Sequence, residues 1–211
     1  MAVLLILAVA ALGMIGFFLY QEYRMPHTAD LLKEAAEQLE AENYSAAAEQ
    51  LEAAIVNEQK LKEKGKETIM ENGAPYITEA YRGLGMIAYS KQEYEQARVN
   101  LLKTIELGGE ETPVLYHMLG ISAMKLEDYD GALEAFAAGT ALPEEGTYKR
   151  TDGAEETADY SEVIREMKWN RIACFEKKLD WESAGVEAEA YVMAYPEDTA
   201  AAKEAEFLAT R

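Results

Sequence analysis

Cysteine occurs once in the 211-residue sequence, at Cys174, so no disulfide can form within the chain and a disulfide-stapled scaffold is excluded. With no second cysteine and no histidine near it, Cys174 reads as a small apolar residue inside a helix pair. Histidine is nearly as scarce. His27 and His117 stand alone, neither with a Ser, Cys or His partner at a meaningful spacing. There is no glycine-rich phosphate loop and no His-x-x-x-His pair. Asp128-Tyr-Asp130-Gly131 faintly resembles the start of a calcium loop, but the later ligands are missing. The reading is therefore of a non-enzyme with no cofactor and no metal. Positive charge is also short, with 20 Lys and Arg against 39 Asp and Glu, a net charge of −19. So acidic a surface repels phosphate backbones, which sets nucleic acid aside and favours basic partners. Proline and glycine are too few for a disordered chain, and β-branched residues are sparse after position 20, where Ala and Glu abound. That balance favours helix.

What the first 20 residues lack is any charged or strongly polar side chain: MAVLLILAVAALGMIGFFLY. As a helix this stretch is roughly 30 Å long, about the thickness of a bilayer core. Eleven of the 20 are Leu, Ile, Val or Phe, and Tyr20 and Tyr23 stand where an interfacial aromatic belt would lie. Ala8-Val9-Ala10 has the form of a signal-peptide cleavage site, but the apolar run continues past it and no basic segment precedes it. We read residues 1–22 as a retained single-pass anchor and 23–211 as one helical domain. The count of positive charges beside the anchor leans toward a cytoplasmic domain, by a margin of one charge.

Within the domain one pattern occurs four times: an aromatic, two residues, then Ala. The copies are Tyr44/Ala47, Tyr94/Ala97, Tyr129/Ala132 and Trp181/Ala184. Seven residues past each aromatic stand Leu51, Leu101, Phe136 and Ala188, and just before each stand Asn43, Glu93, Asp128 and Asp180. Asn and Asp are good N-caps, so each copy predicts a tight turn entering a helix with an apolar stripe. Nine residues before the second and third aromatics stand Gly85 and Gly120, each preceded by Leu; Ala35 holds that place in the first copy. A small residue there lets a partner helix approach closely. The fourth copy's turn reads one residue shorter, with Ile172-Ala173 in place of Leu-Gly.

At these residues the sequence resembles the tetratricopeptide repeat (TPR) family. Leu84/Gly85/Tyr94/Ala97/Leu101 and Leu119/Gly120/Tyr129/Ala132/Phe136 match its signature, with Pro143 and Pro196 as closing prolines. The first copy matches in its second helix only, with Glu34 where Leu is expected. The fold class implied is all-α: the anchor, then an α-solenoid of about four helix pairs near 28–58, 76–108, 112–143 and 161–197, then a capping helix at 198–211. The aromatics are spaced 50, 35 and 52 apart, so two insertions are expected. The first, near 57–73, reads as an extension of the preceding helix stopped by Gly65 or Gly73; the second, near 143–160, reads as a loop. Gly108-Gly109 and Thr112-Pro113 read as a helix stop and a helix start.

The resemblance implies a scaffold that binds a protein or peptide in a groove lined by the first helices. Groove positions map to Arg82, Met86 and Tyr89 in copy two, to His117, Ile121, Met124 and Lys125 in copy three, and to Trp169 and Lys177 in copy four. Met86 and Ile121 stand where the family's carboxylate-gripping members need Asn, so that clamp is not expected. Alternatives are self-assembly in the membrane and chaperone-like help for exported proteins. The location expected from the resemblance is a bacterial cell membrane with the repeats outside, the cytoplasmic face being the alternative.

Overall fold

The computed structural model describes residues 27–66, 68–70, 72–149 and 155–211. The expected anchor, 1–22, lies outside them; among the described residues no helix is long and apolar enough to cross a membrane. The described chain holds nine helices and one two-stranded ribbon. They run α1 (Thr28–Glu40), α2 (Tyr44–Glu63), α3 (Tyr76–Ser90), α4 (Tyr94–Glu106), α5 (Pro113–Lys125), α6 (Tyr129–Thr140), β1 (Glu145–Lys149), β2 (Glu155–Asp159), α7 (Ser161–Lys177), α8 (Trp181–Ala194) and α9 (Thr199–Leu208).

Four helix pairs, α1–α2, α3–α4, α5–α6 and α7–α8, stack in series. Each second helix packs on the first helix of the next pair, and α9 packs on α8. The first helices α1, α3, α5 and α7 also touch one another in turn, whereas the second helices are spaced more widely. The stack therefore curves toward the first-helix layer, which is its inner face. Apolar side chains fill the seams as three clusters: α1–α3 around Leu31, Leu51 and Ile87; α4–α7 around Leu101, Leu115, Phe136 and Met167; and α7–α9 around Ile172, Ala188 and Tyr191. Such a stack is held by neighbour contacts alone.

The four turns inside the pairs are built alike. The first helix ends in a left-handed residue, Glu42, Gln92, Glu127 or Leu179, at φ 55–61°. The following N–H reaches back to the carbonyl five residues earlier, as in Asp180 to Phe175 at 2.9 Å. Asn43, Asp128 and Asp180 then cap the next helix through their side chains, while Glu93 does not. None of the four left-handed residues is Gly, and the conformation costs an L-residue about 1 kcal/mol or more. Leu179 is 69% exposed, so little packing is lost with its side chain. Leu179→Gly should therefore raise stability by about 0.5–1 kcal/mol. Thermal unfolding checks this; an unchanged or lowered midpoint would mean the Leu179 side chain contributes more than the strain it carries.

Two expectations need correction. The turn of the fourth pair has the same three residues as the others, Lys178-Leu179-Asp180, between α7 and α8. In that register Arg171-Ile172, not Ile172-Ala173, stands in the place of Leu-Gly. The segment read as a loop forms an antiparallel ribbon, with Thr147 opposite Thr157 and Gly146 opposite Ala158. Its Thr and Tyr residues favour strand, and the backbone of Tyr160 extends the ladder by donating to Glu144 at 2.7 Å.

The other insertion follows the expectation. The second helix α2 has 20 residues against 13, 12 and 14 in α4, α6 and α8. It stops before Gly65, at φ 69°. Glu58 on the extension is buried and accepts the hydroxyls of Thr28 and Thr68, tying the returning chain to the start of α1. Further on, α4 stops at Gly108, at φ 78°, and Thr112 caps α5 with Pro113 in its first turn.

Candidate functional site

Inside each pair the two helices cross at one complementary position. A Cβ on Gly120 would lie 2.3 Å from Phe136 Cε1, and one on Gly85 would lie 2.7 Å from Leu101 Cδ2. The same two places hold Ala35 and Leu51 in the first pair and Ile172 and Ala188 in the fourth. Volume lost on one helix is returned on the other.

On that face α3, α5 and α7 bring Tyr89, His117 and Glu166 together. His117 Nε2 lies 3.1 Å from Glu166 Oε2. Burial lowers the His117 pKa, and the opposing pull of Glu166 does not overcome it. The imidazole is therefore neutral at neutral pH and donates its Nε2–H to the carboxylate. Burial pushes the Tyr89 hydroxyl up, and nearby Tyr94 and Glu166 add to the shift. The Tyr89 and Tyr94 rings meet edge to face at 6.2 Å.

Beyond Glu166 the face opens into a pocket of about 490 Å³, lined by Glu162, Arg165, Glu166, Trp169 and Asn170 of α7, Tyr191 of α8, and Asp198 and Ala200 at the start of α9. Arg165 holds its wall together. It donates to the Tyr191 hydroxyl at 2.9 Å and to Asp198 at 3.1 Å, and its guanidinium lies 4.9 Å from the centre of the Tyr195 ring. Asp198 also caps α9 by accepting the N–H groups of Ala200 and Ala201. The Ala201 amide first, and then the Arg165 guanidinium, hold its carboxyl below the usual range. Trp169 packs edge to face on Tyr191 at 5.4 Å.

The residues expected from sequence are placed as follows. Tyr89, His117 and Trp169 line this continuous inner surface. Met86 is exposed one turn before Tyr89. Ile121 and Met124 are half-buried against the central cluster. Lys125 and Lys177 are exposed at the C-terminal ends of α5 and α7, the latter two turns past Trp169. Arg82 is engaged inside the protein: it donates to the Glu110 carbonyl and lies 3.5 Å from Glu79, linking α3 to the chain entering α5. The sequence reading missed Glu162, Arg165, Glu166, Tyr191 and Asp198. The first three lie one or two turns before Trp169 on the same helix face, a usable signal. Tyr191 and Asp198 arrive from other helices. Cys174 is fully buried and burial pushes its thiol up to about 11, so it holds no thiolate at neutral pH.

No protein-family model matches the chain, and no curated protein does. Solved structures do. The chain is similar to YrrB, described as a TPR protein with an unusual peptide-binding site, with a TM-score of 0.62 and 18% identity over 91% of this chain and 81% of that one. It is similar to the MamA RS-1 ArsTM double mutant, with a TM-score of 0.59 and 14% identity over 89% and 86% of the two chains. A chain of the APC/C hetero-tetramer Cut9-Hcn1 matches with a TM-score of 0.52 and 14% identity; the match covers 86% of this chain and 30% of that one. The likeness is one of fold, a serial stack of TPR-like helix pairs.

Proposed function

We propose that the chain is a scaffold that holds a protein or peptide along the inner face of its first helices, tethered to a membrane by its apolar N-terminus. The observation that carries this is the line of Tyr89, His117, Glu166 and Trp169 across three successive first helices, ending in an open pocket. Tyr and Trp are common energetic anchors of interfaces, because each buries a large rigid surface at low entropic cost. A fold shared with a protein described as peptide-binding supports the same reading. The uncharged stretch 1–20 supports the tether. The proposal places the repeats on the outer side of a bacterial cell membrane, and protease accessibility on intact cells checks that side.

Capture of partners by the tagged full chain from detergent-solubilised membranes tests the groove. The double substitution Tyr89→Ala and His117→Ala should cut capture by about tenfold or more, since truncating two groove anchors costs at least about 1.4 kcal/mol together. Undiminished capture by the double variant would remove the groove assignment.

A further inference from the structure

The pocket between α7, α8 and α9 has a charge pattern that selects its occupant. Three carboxylates, Glu162, Glu166 and Asp198, face one guanidinium, Arg165. Arg165 is already engaged by Asp198 and the Tyr191 hydroxyl, and its ring contact with Tyr195 holds it on the wall. Asp198 is likewise committed to Arg165 and the α9 amides. Glu166 bonds to the imidazole of His117, which carries no charge at neutral pH, so its own charge is not cancelled. Glu162, one turn before Arg165, and Glu197, 3.8 Å from it, act on the same guanidinium, so one positive charge is shared among several carboxylates and the lining stays net negative. Trp169 lines the same cavity, and an aromatic ring beside carboxylates is a setting that favours a cation.

We propose that this pocket accepts the cationic side chain, Lys or Arg, of the polypeptide held on the inner face; the inference rests on the scaffold reading above. An acidic side chain would meet a lining of three carboxylates against one arginine that is already engaged. An aliphatic side chain would strip water from those carboxylates and return no partner. The net charge of −19 acts in the same direction at long range, drawing basic segments toward the domain.

The test uses the full chain in detergent micelles, labelled with 5-fluorotryptophan. The chain has two tryptophans, so two ¹⁹F resonances are expected, assigned with a Trp181→Phe variant. Trp181 lies beneath Arg211, outside the pocket lining, and serves as the internal control. The probes are capped pentapeptides, Gly-Gly-Xaa-Gly-Gly, with Xaa as Arg, Lys, citrulline, Leu or Glu. The Arg and Lys peptides should shift the Trp169 resonance saturably and leave Trp181 in place. Citrulline, which keeps the shape of Arg without its charge, should bind at least about fivefold more weakly. Glu162→Gln with Glu166→Gln should weaken the Arg peptide by about fivefold or more, and the difference should shrink at high salt. Equal binding of the citrulline or Glu peptide, a shift confined to Trp181, no shift with any peptide, or an unchanged Kd in the double variant would each overturn the proposal. Failure here leaves the scaffold reading to the capture assay, which depends on Tyr89 and His117 and on no charge preference.

Discussion

Gly120→Ala should lower the stability of the domain by about 2 kcal/mol although it adds a single methyl group. The new Cβ would lie 2.3 Å from Cε1 and 2.5 Å from Cδ1 of Phe136. Phe136 has no exposed surface and sits in the central cluster among residues of α4 to α7, so its ring cannot swing away without opening that cluster. Overpacking of this kind costs about 3 kcal/mol. Alanine's better helix propensity returns about 1 kcal/mol, which fixes the sign as destabilising. At about 2–4 °C per kcal/mol for a chain of this size, the melting midpoint should fall by about 4–8 °C. The protein contains its own control, because the first pair places Ala35 against Leu51 at the equivalent crossing. Gly120→Ala with Phe136→Leu copies that pair and should recover at least half of the loss. A single variant that melts like the parent would show that the crossing has slack, and the complementarity of the four pairs would lose its meaning.

The second large effect is expected at the other end of the same rule. Ile172 is buried where the other pairs have Gly or Ala, and Ala188 stands opposite where they have Leu or Phe. Ile172→Ala leaves two alanines face to face and a cavity between them, at a cost of about 3 kcal/mol. Its cluster holds only α7, α8 and α9, so the damage should stay local. Backbone amides of α8 and α9 should exchange about a hundredfold faster, since each 1.4 kcal/mol is a factor of ten. Amides of α1 to α4, which belong to other clusters, should keep their rates. Adding Ala188→Leu rebuilds the Ala-and-Leu pairing of the first pair and should return most of the protection. Acceleration spread evenly over the chain would show that the stack unfolds as one unit.

Local chemistry decided most of what could be read in advance. The aromatic-x-x-Ala copies, the Asn and Asp caps and the Gly65 and Gly108 stops place helices because each acts within a turn or two of chain. The ribbon of β1 and β2 is hidden in the sequence because proline, glycine and threonine around it are also the residues of loops. Two short runs, Thr147-Tyr148 and the stretch around Thr157, flank Asp152-Gly153 in the sequence, and that arrangement is a hairpin signal. The shortened turn was a misreading of register, since Ile172 at the glycine place makes sense only when Ala188 is seen to face it.

By itself, the sequence determined the helix pairs, the turns of the first three and which first helices carry Tyr89, His117 and Trp169, because periodicity and capping are local properties of the chain. Only the tertiary structure decided that Arg82 is engaged by Glu110, that Glu166 meets His117, and that Tyr191 and Asp198 close a pocket around Trp169. Those meetings depend on how deeply each pair interlocks and on the rotation from one pair to the next. Both are set by side-chain volumes facing each other across helices, 16 residues apart in sequence at the Gly120–Phe136 crossing, and no periodicity within one helix records them.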